Sequence, residues 1–133
     1  MAFSIDGAVS SGIGTGKDFV VLDGYADQFE ERLGYEPYPG TLNLVLDRRV
    51  DGAFDALDAI LVEGWEADGR SFGGVDCYPA SVVDDPESVR LHAVVPRRTD
   101  HDATTVEFVS PVDLRETFGL DDGDRLEVRI ESG

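Results

Sequence analysis

With 133 residues, 41% of them hydrophobic, the chain suits one domain around a single core, expected to span 1–133, and has no apolar run long enough to cross a bilayer. Its 28 acidic residues against 11 basic ones give a formal charge of −17, and Lys17 is the sole lysine, the remaining basic residues being arginines. Carboxylates spread through a patterned sequence predict a halophilic surface, kept soluble where salt screens self-repulsion, and argue against an acidic disordered tail or a nucleic-acid mimic, whose charge is clustered. One cysteine, Cys77, excludes an internal disulfide, and the start lacks a basic segment followed by an apolar core, so a cytoplasmic protein is expected.

The opening stretch AFSIDGAVSS sets Phe3, Ile5 and Ala8 against polar neighbours and predicts a first strand. SGIGTGK follows as a loop, with Gly12, Gly14 and Gly16 at alternate positions around Ile13 and Thr15 and Lys17 at the end. Glycines let successive backbone N–H groups approach a phosphate while a lysine neutralises charge, although the spacing is not that of a Walker A motif and a flexible hairpin loop is the plainer reading. From Asp23, a good N-cap, Tyr25, Phe29 and Leu33 fall four apart on one face, and Gly34 stops the short helix.

TLNLVL predicts the next strand, with Leu42 and Leu44 on one side and Thr41, Asn43 and Val45 on the other. Thr41 and Asn43 each offer a neutral oxygen to one face, enough for Mg²⁺ when a triphosphate fills its remaining positions; local bonds to the backbone near the turn are the alternative use. FDALDAILVEGW fits neither period cleanly, while SFGGVDCYPASVV and SVRLHAVVP predict neighbouring strands across the turn DDPE. TTVEFVS is another strand, after which Ser110 is expected to cap a helix with Pro111 at its first position, running to Gly119. DDGD then turns into the last strand, RLEVRIE. Many short strands, two small helices and no βαβ alternation predict a mainly β fold, a closed or nearly closed barrel. Arg97, Arg98, Thr99, His101 and Glu107 gather basic, hydroxyl and acidic groups in one region, where Glu107 by itself reads as a solvated or paired strand residue and His101 as an exposed turn residue.

GIGTGKDF, LGYEPYPGTLNL, GRSFGGVDCYPA and VVPRRTDHDATTVEFVSPVDLRETFGLDDGD, in this order, resemble the archaeal CTP-dependent riboflavin kinases over almost the whole chain. The resemblance implies a six-stranded cradle-loop barrel, riboflavin-kinase-like, with short helices, transferring the γ-phosphate of CTP to the riboflavin 5′-hydroxyl to give FMN and CDP. It also implies that Gly12–Lys17 hold the nucleotide phosphates, that Val112, Asp113, Leu114 and Arg115 contact the rest of the nucleotide, that Thr41 and Asn43 bind Mg²⁺, and that Thr99 and Glu107 meet the flavin. Glu107 is the acid placed by motif to orient the hydroxyl or take its proton. Residues 47–69 depart in acidic content from the family pattern. Some members carry a winged helix domain in front, which has no counterpart among these residues, so no nucleic-acid partner is expected, nor a membrane; a monomer is expected.

Two other readings stand beside this one. LRETFGLDDGDRLEV also resembles a segment of swapped-hairpin transcription regulators, which bind DNA as dimers but need neither PYPGTLNL nor the glycine loop. The third is a barrel that binds flavin or nucleotide without turnover.

Overall fold

The structure, a computed structural model, describes residues 2–10, 23–36, 38, 42–46, 54, 56–62, 65–67, 70–72, 74–85, 89–96 and 105–133. Six antiparallel strands close into a barrel: β1 (Ala2–Ser10), β2 (Leu42–Leu46), β6 (Val75–Val82), β7 (Leu91–Pro96), β8 (Thr105–Val109) and β9 (Arg125–Glu131). Around the ring the order is β6, β7, β8, β2, β1, β9, and β9 returns to β6 through Ala80↔Ile130 and Val82↔Val128. β6 is long enough to share itself between two partners, taking β9 along one part and the short β3 (Ile60–Val62) along residues Val75 to Cys77. β4 (Trp65–Ala67) and β5 (Arg70–Phe72) pair only with each other among the described residues.

Closure follows from alternation. β9 repeats exposed and buried positions without a break, and its Leu126, Val128 and Ile130 meet Ile5 and Val9 of β1, Leu42, Leu44 and Leu46 of β2, and Val106 and Phe108 of β8 inside the barrel. In β1 the inward set is Ile5, Gly7 and Val9, so Ala8, grouped with Phe3 and Ile5 on sequence, faces outward. Gly7 is required there: a Cβ would lie 2.7 Å from Leu46 Cδ2 and 3.0 Å from the Val45 carbonyl oxygen, so only glycine lets β1 and β2 come this close. The stretch of mixed periodicity divides, with Phe54 in a helical turn and β3 taking Ile60–Val62. Phe54 joins the core edge-on to Phe3, ring centroids 5.2 Å apart, and leans on Tyr78 at 4.9 Å.

Two helices complete the fold. α1 (Asp23–Leu33) ends as expected: Gly34 adopts φ 83° and its N–H donates to the Glu30 carbonyl. Phe29 and Leu33 lie on a second, outer cluster with Tyr35, Val62, Val75, Cys77, Val94 and Val109, so α1 covers the outside of the barrel over β6, β7 and β8. The Tyr25 side chain lies outside the described residues. α2 (Leu114–Phe118) is shorter than expected, and Ser110 does not cap it. Asp113 does, its Oδ1 accepting from the N–H groups of Arg115 and Glu116, while Gly119 at φ 64° closes the other end. In α1 and α2 no run is long and apolar enough to cross a membrane.

Candidate active site

Antiparallel registers place one residue from each of six strands in a line across the outer face: Ser10 opposite Asn43, Asn43 opposite Glu107, Glu107 opposite Val94, Val94 opposite Cys77 and Cys77 opposite Ile60. Directly opposed residues point to the same face, so Asn43 and Glu107 are immediate neighbours between the polar Ser10 and the apolar remainder. Asn43 is only 3% exposed and Glu107 is half-buried. Both make polar or electrostatic contacts, yet Asn43 Oδ1 and Glu107 Oε2 are buried oxygens that accept no hydrogen bond. A strand carrying these groups outward while Leu42, Leu44, Val106 and Phe108 point inward gains a rigid backing for them. A neutral amide oxygen beside a carboxylate is a donor set that suits a hard cation such as Mg²⁺. Among the described residues no cluster of three or more His, Cys, Asp or Glu side chains could hold a metal, so such an ion would need oxygens from phosphate and water as well.

The strand ends bring further expected segments to this place. Ser10, where β1 ends, is paired with Asn43 near the start of β2, and the Tyr38 N–H donates to the Ser110 carbonyl just beyond the end of β8, at 2.7 Å. The chain therefore leaves for Gly12–Lys17, enters β2 and leaves β8 for Val112–Arg115 at one end of this strand group. Gly12, Ile13, Gly14, Thr15, Gly16 and Lys17 lie outside the described residues, as do Thr41, Thr99 and His101. Residues 97–104, with Thr99, are likewise outside the described residues, and β8 opens at Thr105, at the end of Glu107's strand away from Ser110. Within the 112–115 segment the side chains divide their work. Val112 is exposed, Asp113 is engaged as the helix cap, Leu114 is buried in the core, and Arg115 pairs with Asp122 at 2.8 Å. Leu114 thus has only its backbone to offer a ligand.

A family model named CTP-dep_RFKase, described as "Domain of unknown function DUF120", matches residues 9–130. The chain belongs to this family. It is 44% identical over 131 residues to a riboflavin kinase of Haloquadratum walsbyi, covering 96% of this chain and 56% of that protein. With a riboflavin kinase of Halobacterium salinarum the identity is 41% over 133 residues, 97% of this chain and 57% of the relative, and with one of Methanocella arvoryzae 39% over 125 residues, 94% and 56%. The chain thus spans somewhat over half the length of these relatives. The family match takes in every residue of the line, from Ser10 to Glu107, and the end of β8 with α2.

Beside the site stands a polar cluster that sequence reading missed. Tyr35, one residue past the cap of α1, brings its hydroxyl within 2.8 Å of His92 Nδ1 and 3.3 Å of the Val109 carbonyl oxygen. When the hydroxyl donates to Val109, its oxygen accepts from the Nδ1–H of His92. Burial, reinforced by Arg90, lowers the His92 pKa from 6.5 to about 4, and burial raises that of Tyr35 well above its ordinary value, so both stay neutral near neutral pH. Arg90 stacks over the Tyr35 ring at 5.2 Å and donates to the Leu33 carbonyl at 2.7 Å, tying the last turn of α1 to β7. Burial also pushes the Cys77 thiol up to about 12, which makes it a packing residue. No spacing rule could have shown the Tyr35–His92 pair, whose partners stand 57 residues apart.

Proposed function

We propose that the chain is a riboflavin kinase that uses CTP, a monomer of the cytoplasm that binds riboflavin and CTP and releases FMN and CDP. Membership of the family and the named activity of its relatives supply the reaction class; the observation that carries the reading is the direct cross-strand pairing of Asn43 with Glu107 on the outside of the barrel. In this reaction the riboflavin 5′-oxygen forms a bond to the γ-phosphorus as the bond from that phosphorus to the β–γ bridging oxygen breaks, and the hydroxyl proton passes to a carboxylate. Because the transition state is loose, the protein's contribution is positioning and charge stabilisation.

Glu107 is the base that orients the hydroxyl and takes its proton, with the flavin also touching Thr99. Asn43, with Thr41 two positions earlier, holds Mg²⁺, which when bound neutralises phosphate charge. The backbone of Gly12–Lys17 and the Lys17 ammonium cradle the phosphates, and Val112–Arg115 meets the base and sugar. Incubating the chain with riboflavin, Mg²⁺ and each nucleoside triphosphate in turn tests the reading. FMN should form fastest with CTP and much more slowly with ATP; equal or faster formation with ATP would overturn the donor assignment, and no FMN with any donor would overturn the activity.

A further inference from the structure

Ser110 stands where a helix cap was expected, and its polar groups are turned to another use. The residue is 1% exposed. Its hydroxyl donates to the Arg90 carbonyl at 2.6 Å and accepts from the Val112 N–H at 3.4 Å, while its own carbonyl accepts from the Tyr38 N–H at 2.7 Å. Arg90 carries the connection onward, its side chain donating to the Leu33 carbonyl and lying over Tyr35. Three stretches of chain thus meet at one buried serine: the opening of 112–115, the approach to β2 three residues before Thr41, and, through Arg90, the last turn of the helix that follows residues 11–22.

We propose that Ser110 is a positioning residue for nucleotide recognition, its buried hydroxyl and carbonyl holding Val112–Arg115 in register with β7 and with the chain entering β2. The inference rests on the kinase reading for its consequence but on the hydrogen bonds alone for its geometry. A buried hydroxyl that donates and accepts at once has a single orientation, so it fixes where Val112 begins. The Arg90 side chain serves the other arm, because it reaches α1, whereas the Ser110 hydroxyl uses only the Arg90 backbone. Loss of the hydroxyl should disturb selection of the base, whereas loss of the guanidinium leaves the Arg90 carbonyl, and with it the bond from Ser110, in place.

The test compares Ser110→Ala and Arg90→Ala with the wild type in FMN formation with CTP and ATP. A drop in the amount of folded protein lowers both rates alike and leaves their ratio unchanged, so the ratio of kcat/KM values reads positioning separately from stability. For Ser110→Ala the preference for CTP should narrow by about tenfold, the scale of a lost buried hydrogen bond. For Arg90→Ala, which keeps the carbonyl that Ser110 uses, the ratio should stay within about twofold of wild type. An unchanged ratio in Ser110→Ala, or a collapse of the ratio in Arg90→Ala alone, overturns the proposal. Amide exchange at Val112 and Tyr38 is followed in the same proteins. If wild type makes no FMN with any donor, the kinase reading falls, and faster exchange at Val112 in Ser110→Ala, with Tyr38, whose partner is the retained carbonyl, little changed, still supports the frame, while unchanged exchange at Val112 overturns it.

Discussion

The outer face of the barrel is used in two ways along a single line of residues. Toward β7, β6 and β3 the positions are Val94, Cys77 and Ile60, packed with Phe29 and Leu33 of α1 into a second core. Toward β2 and β1 they are Glu107, Asn43 and Ser10, on the same face and in the same register. The backbone is equivalent in the two halves; the difference lies in what α1 covers and in which side chains the strands carry. A sheet face that must pack tolerates no orphaned polar group, whereas a face that must bind needs buried oxygens on stiff strands. Holding both on one sheet lets the packed half immobilise the strands that aim the other.

The packed half is broken most severely at its centre. Phe29→Ala removes a fully buried ring from beneath α1 and should cost about 3–5 kcal/mol in chemical denaturation. A loss below about 1 kcal/mol would show that α1 contributes little to this face.

Acid should attack the same half through His92. Its pKa is lowered from 6.5 to about 4 in the folded protein, so the unfolded chain takes the proton first as pH falls. The stability this neutral ring contributes is complete above pH 6.5 and is lost as pH drops through about 4, by up to about 3 kcal/mol. Denaturation of wild type and His92→Gln across that window measures it, because the carboxylates titrate in both proteins. Parallel curves would mean that His92 is not the source.

The other half is probed at Asn43, the proposed metal donor. Asn43→Ala should raise the Mg²⁺ concentration needed for half-maximal activity by about tenfold, with added Mg²⁺ restoring much of the rate. An unchanged Mg²⁺ titration would place the ion elsewhere. The smallest effect marks the edge of the site: Val45, next outward on the same face of β2 and 41% exposed, should accept Val45→Thr within about 0.5 kcal/mol and without change in Mg²⁺ dependence. A large shift there would extend the functional surface along β2.

Much of this was legible in the order of residues. Alternation marks the barrel strands, Gly34 and Gly119 mark the ends of their helices, and the i, i+2 spacing of Asn43 and Val45 puts them opposite Leu42 and Leu44. The pairing of Asn43 with Glu107 was not legible, because register between strands so far apart in sequence is set by closure of the whole ring and no local pattern encodes it. Ser110 misled because SPVD offers two capping side chains; the Arg90 carbonyl takes the hydroxyl of the first and leaves Asp113 to start α2. Within residues 47–69 the outcome was mixed, since Phe54 and Val62 are buried in different cores and so obey no common period.

The division of the outer face is tested most directly by Glu107→Gln. Glutamine keeps the shape and one acceptor oxygen but takes no proton, so it separates chemistry from packing at one position of the line. FMN formation should fall by about 100-fold at saturating substrates while nucleotide binding and melting temperature stay near wild type. Wild-type turnover in this variant would contradict the account and return Glu107 to the ordinary half-buried carboxylates of a barrel wall.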